Sequence, residues 1–100
     1  MPPFRIVGEV EILVEPLATL LDQHLPPQTP IDFMSVDVEG FDQQVIASND
    51  WSRFRPRFVL VEMLGVAFED VTADPLAQIL AQAGYRPVSK TCNTVVFGTA

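Results

Sequence analysis

One hundred residues are enough for one small domain, and a composition that is 48% hydrophobic and 19% charged suits a packed core rather than a disordered tail. With 13 acidic against 6 basic residues the formal net charge is -7, which argues against nucleic acid or an anionic membrane as a partner. Cys92 is the only cysteine, so no intramolecular disulfide forms, and a reducing cytoplasm is the expected setting.

The opening "MPPFRIVGEVEILVEP" has no apolar run long enough for a signal peptide or a membrane span, and glutamates interrupt it. "FRIVGEVEILV" is rich in β-branched residues, and Val10, Ile12 and Val14 alternate with Glu9, Glu11 and Leu13, which predicts a strand with one buried face. Pro16 suits the first turn of a helix carrying Leu17, Leu20, Leu21 and Leu25 on one side, and "PPQTP" ends it. In "IDFMSVDV", Ile31, Phe33, Met34, Val36 and Val38 point to both faces, the pattern of a parallel strand covered on both sides.

Gly40 turns the chain into "FDQQVIAS", a predicted helix burying Phe41, Val45 and Ile46. A second apolar run, "RFVLVEML", again carries a carboxylate, Glu62, toward its C-terminal end. Asp74 and Pro75 make a cap and first helical position, Leu76, Ile79, Leu80 and Ala83 form a stripe, and Gly84 supplies the stop. "YRPVSKT" and "TVVFGT" flank Cys92 and Asn93, a two-residue connection that predicts a closing hairpin. Strands alternating with helices imply an α/β fold with a mostly parallel sheet and a C-terminal antiparallel hairpin. Ligands of such sheets bind outside the carboxyl ends of the strands.

Asp37, Glu39 and Glu62 are the residues this order brings to those ends. If the strand persists, Asp37 and Glu39 share a side, and like charges held close raise at least one pKa. Such a pair serves as a general base or as hard oxygen ligands for a divalent cation. The alternatives are structural: Asp37 capping the next helix or binding loop amides, Glu39 solvated, Asp42 favouring the helix dipole, and Glu62 paired with Arg53, Arg55 or Arg57. Those arginines either grip an anionic substrate or form a solvated loop, while His24 reads as a surface residue with no zinc partners and Trp51 and Tyr85 as packing residues. "DVEGFD" lacks the spacing and closing glutamate of a calcium loop, and no metal site is expected.

Together, "IDFMSVDVEGFDQQVIASNDWSRFRPRFVLVE" resembles the C-terminal half of the FkbM-like methyltransferases, which use S-adenosylmethionine. The match is carried by the Ile-Asp-Phe strand entry, Asp37-x-Glu39-Gly40 at its exit, Val45 and Ile46 on the helix, and Arg-Pro before the strand closing with Glu62. "VEILVEPLATLLDQH" and "AQAGYRPV" are similar to the family's flanking segments. The resemblance implies a partial Rossmann-like methyltransferase fold and O-methylation of a sugar or polyketide hydroxyl on a small-molecule acceptor. In it Asp37 positions donor or acceptor, Glu39 is the base or a metal-side carboxylate, Gly40 and Phe41 stand beside the cofactor, and Glu62 and Asn93 face the acceptor.

Glycines stand only at positions 8, 40, 65, 84 and 98, so no two approach closely enough to make the glycine-rich turn that cradles such a cofactor. The chain therefore reads as the distal part of a methyltransferase, inactive alone, with one edge of the "IDFMSVDV" strand unpaired. Such an edge either recruits residues 5 to 14, forms a homodimer, takes up a complementing chain, or aggregates. Two rival readings accompany this one: a non-catalytic α/β interaction module, and a small metal-dependent hydrolase using the same carboxylates.

Overall fold

A computed structural model describes residues 7–99 of the chain. Pro16 sits immediately before helix α1, Leu17–His24, whose leucines are at most half-buried. Strand β1 is Phe33–Val36 and helix α2 is Asp42–Ala47. Strand β2 is Phe58–Glu62, followed by a 3-10 helix at Phe68–Ala73 and by helix α3, Pro75–Gln82. The Asp74 carboxylate accepts the Leu76 N–H at 2.9 Å, with Pro75 in the first turn where no N–H is needed. Gly84, at φ 91°, turns the chain out of α3 into strand β3, Tyr85–Thr91, which pairs with strand β4, Thr94–Thr99.

Among the described residues the strand order is β1-β2-β4-β3. β1 and β2 run parallel with Phe33 opposite Phe58, whereas β4 is antiparallel to both of its neighbours, setting Gly98 opposite Phe58 and Thr99 opposite Tyr85. The sheet is therefore mixed, not mostly parallel as expected. The reason is the hairpin: its second strand folds back into the sheet beside β2, so both pairings that it makes are antiparallel.

Alternation decides which side of the sheet is covered. Val59 and Val61 of β2, Val95 and Phe97 of β4, Val36 and Tyr85 face Ile46, Val71, Leu76, Ala77 and Leu80 in one core. Phe33 and Phe58 point to the other side and are 63% and 36% exposed. Expected coverage on both faces is thus corrected to one: α2, the 3-10 helix and α3 all pack on the same side.

The first predicted strand does not form in the described residues. Residues 7–14 make no ladder, and Val7, Val10, Ile12, Leu13 and Val14 are 79–86% exposed. Alternation supplies propensity, but a strand needs a neighbour to satisfy its N–H and C=O groups. The edge of β1 is accordingly not covered by residues 7–14, and residues 4–6 of that expected strand lie outside the described range. Phe41, expected in the core of α2, precedes the helix as its N-cap and is 65% exposed, while Ile46 is fully buried.

The loop into β2 is tied by its own side chains. Trp51 Nε1 donates to the Ile46 carbonyl at 2.9 Å, buried Asn49 donates to the Phe54 carbonyl at 3.0 Å, and the Tyr85 hydroxyl donates to the Pro56 carbonyl. The Trp51 and Tyr85 rings meet edge-on with centroids 5.2 Å apart. Burial raises the Tyr85 pKa above its ordinary value, opposed by the nearby Arg55 charge. Because the folded phenol holds its proton to higher pH than the unfolded one, its contribution is complete below the unfolded pKa of about 10 and is lost as pH climbs through the folded value. Tyr85→Phe is expected to cost about 1–3 kcal/mol at neutral pH by orphaning the Pro56 carbonyl, and to flatten the alkaline decline in urea-unfolding midpoint. An unchanged midpoint at neutral pH would refute the role given to this hydroxyl.

Among the described residues no helix is long and apolar enough to cross a membrane.

Candidate functional site

β1 stops at Val36, so Asp37 and Glu39 do not share a strand face. A turn brings them together instead. The Phe41 N–H donates to the Val38 carbonyl at 3.2 Å, and the two residues between, Glu39 at φ 46° and Gly40 at φ 97°, have the paired positive φ of a type I′ turn. Glycine adopts this freely, whereas the Glu39 backbone costs roughly 1–2 kcal/mol relative to the right-handed regions. Asp42 then reaches back from the first turn of α2, its Oδ1 accepting the Val38 N–H at 2.8 Å. Besides suiting the helix dipole, Asp42 clamps the turn that carries Glu39.

Glu62 arrives from the parallel neighbour, as the last residue of β2. Asp37, Glu39, Gly40, Asp42 and Glu62, with Leu64, line an open cleft of about 200 Å³ at the carboxyl ends of β1 and β2. Of the predicted site residues, Asp37, Glu39, Gly40 and Glu62 thus meet in one place. Phe41 does not line this cleft. It lines a separate apolar groove of about 710 Å³ with Ile12, Val14, Val38 and Val45. Asn93 is exposed in the hairpin turn, where its carbonyl accepts the Met63 N–H at 2.7 Å, and it does not line the cleft either. Asp42 and Leu64 are the lining residues that sequence reasoning did not assign. A carboxylate three residues beyond another across a glycine turn is the sequence signal that could have found Asp42.

The arginines stand at the far end of the sheet. The Arg57 N–H donates to the Ile31 carbonyl ahead of β1, Arg53 pairs with Asp22 at 2.6 Å, and Arg55 lies over the Tyr85 ring at 5.3 Å. β2 separates Arg57 from Glu62 by roughly 15 Å of extended chain. The alternative pairing of Glu62 with Arg53, Arg55 or Arg57 is therefore corrected: the carboxylates face a cleft, not a guanidinium. His24 is exposed at the end of α1. Among the described residues no three His, Cys, Asp or Glu side chains group so as to hold a metal ion.

What the cleft presents is a set of oxygen acceptors, suited to orienting a hydroxyl and accepting its proton. It does not fit a whole S-adenosylmethionine. Its volume is below the roughly 300–1,000 Å³ of small-molecule sites.

No curated protein and no solved structure matches the chain. A family model for the methyltransferase FkbM domain matches residues 3–87, a span that takes in β1, the Glu39–Gly40 turn, β2 and α3. With the family's match running through both strand ends that build the acidic cleft, the chain belongs to the FkbM methyltransferase domain family.

Proposed function

We propose that this chain is the acceptor-side half of an S-adenosylmethionine-dependent O-methyltransferase with a partial Rossmann-like fold. Its acceptor is a small-molecule hydroxyl of the sugar or polyketide kind, and its setting is the cytoplasm. The observation that supports this is the carboxylate cleft outside β1 and β2 in a chain of this family. Asp37 orients the acceptor hydroxyl, Glu39 accepts its proton, and Glu62 fixes the acceptor from the β2 side. The glycine-rich turn that holds the cofactor comes from outside these 100 residues, as further residues of the same protein or as a complementing chain seated along the free edge of β1.

Calorimetric titration with S-adenosylhomocysteine, with and without Mg²⁺, tests this reading. No heat is expected from the folded chain alone. Binding and transfer of a labelled methyl group to a hydroxyl acceptor are expected once a polypeptide carrying a glycine-rich half of the family is added. Micromolar binding by the chain alone would overturn the half-site reading. A stable complex that binds the cofactor without transferring the label to any hydroxyl acceptor would overturn the O-methyltransferase reading and favour the interaction module, which the exposed apolar surfaces of the sheet also support.

A further inference from the structure

The basic residues of the chain are unevenly placed: of six, Arg53, Arg55 and Arg57 fall within the five positions that precede β2. Two of the three line one pocket. Arg53 and Arg55 share an open cavity of about 410 Å³ with Gln28 and Thr29, from the loop between α1 and β1, and with an apolar lining that includes Ile31 and Phe54. Its volume lies within the roughly 300–1,000 Å³ of small-molecule sites, which the acidic cleft does not reach. No carboxylate is among the residues that line it, although acidic residues outnumber basic ones 13 to 6 in the chain.

Both guanidiniums are held in place before any ligand arrives. Arg53 Nη2 donates to Asp22 Oδ1 at 2.6 Å, and its guanidinium lies 4.7 Å over the Phe54 ring. Arg55 Nη1 donates to the Trp51 carbonyl at 2.9 Å, and its guanidinium lies 5.3 Å over the Tyr85 ring. Side chains already fixed lose less rotamer freedom when a ligand binds. A guanidinium carries five N–H donors, so each arginine keeps several for a ligand. The two differ in charge. Asp22 offsets that of Arg53, whereas a carbonyl and a ring leave that of Arg55 uncompensated.

The negative net charge of the chain does not exclude an anion here. The pocket stands at the amino ends of β1 and β2, and the acidic cleft at their carboxyl ends. β2 alone puts roughly 15 Å between them, about two Debye lengths at physiological salt.

We infer that this pocket is a second binding site, for a small organic phosphate. The phosphate oxygens take N–H donors from Arg55 and Arg53, with Thr29 and Gln28 as neutral donors, and the apolar body of the ligand lies along Ile31 and Phe54. A phosphate monoester offers three terminal oxygens and a charge near -2 at neutral pH, which match two guanidiniums, a hydroxyl and an amide better than a carboxylate does. The site is too far from the acidic cleft to share a small ligand with it, and it stands whether or not that cleft transfers methyl groups.

Titration of the ¹⁵N-labelled chain with phenyl phosphate, followed by amide chemical shifts, tests this. Saturable shifts are expected at Gln28, Thr29 and Phe54 with a Kd on the order of 1 mM or tighter, weakening as salt is raised. Inorganic phosphate is expected to bind at least about tenfold more weakly for want of an apolar body, and benzoate for want of the third oxygen and second charge. Arg55→Gln is expected to weaken binding at least about tenfold. Thr29→Glu, on the exposed loop and outside the Arg55–Tyr85 contact, is expected to do the same while the rest of the spectrum is kept. No saturable shift up to about 20 mM phenyl phosphate would overturn the inference. So would shifts confined to Asp37, Glu39 and Glu62, binding of inorganic phosphate or benzoate as tight as that of phenyl phosphate, or an affinity that Thr29→Glu leaves unchanged.

Discussion

Glu39→Gln is expected to lower methyl transfer by the complemented enzyme about 10²–10⁴-fold, the usual effect of losing a positioned general base. Glu39→Gly is expected to do the same while raising stability by about 0.5–1 kcal/mol. The opposite signs come from one backbone angle. At φ 46° a glutamate is held where its Cβ crowds the following carbonyl, and glycine relieves that crowding at some cost in unfolded-chain entropy. A residue retained for packing would lose stability when truncated, whereas one that carries chemistry in a strained turn would gain it. Urea unfolding of the isolated chain and labelled-methyl transfer by the complex read the two effects separately. Equal activity of Glu39→Gln and the unmodified chain would remove Glu39 from the role of base. A loss of stability in Glu39→Gly would show that its side chain has structural partners in the turn.

Phe97→Ala is expected to cost about 3–5 kcal/mol, enough to unfold much of a domain whose total stability is of order 5–15 kcal/mol. Phe97 is fully buried at the middle of β4, the strand paired on both sides by antiparallel neighbours, and its ring joins the core shared by β2, α3 and Tyr85. Removing it leaves a cavity that two ladders of hydrogen bonds prevent from collapsing. Val96→Ala, on the same strand but facing the uncovered side, is expected to cost about 1 kcal/mol at most. The contrast between adjacent residues is the informative result. Similar losses at both positions in urea titrations would mean that the second face is as well packed as the first, contradicting a one-sided core.

Elements defined by local chemistry were legible from the residues alone. Asp74-Pro75 followed by the leucine stripe and Gly84 specifies α3 within a few residues, because cap, first turn and stop each satisfy backbone groups locally. The hairpin around Cys92 and Asn93 was legible for the same reason, with Cys92 at φ 49° making the turn. Elements defined by a distant neighbour were not. Residues 7–14 have the alternation of a strand, yet whether they form one depends on a ladder partner that periodicity does not name. Direction was hidden likewise: nothing local to "TVVFGT" says that it folds in next to β2 and turns a parallel sheet into a mixed one. At the site, the residue types and their strand-end location were readable, while the geometry was not. Extending β1 through Glu39 put two carboxylates on one strand face, whereas a type I′ turn and the Asp42 clamp bring them to the cleft by another route. The assignments of Phe41 and Asn93 rested on adjacency in the chain, and both side chains occupy other surfaces.

The position of β4 has a consequence for how the chain is made. It follows every other described element, yet it lies between β2 and β3 in the sheet. During synthesis the ribosome releases β1 and β2 first, and for that interval β2 shows water a bare row of amide and carbonyl groups and the apolar side that Val95 and Phe97 later flank. The nascent polypeptide is therefore most adhesive just before β4 emerges. Chaperone demand should peak in that window, and ribosome-stalled chains cut short before Thr94 should be held by chaperones or aggregate when those carrying β4 are released folded.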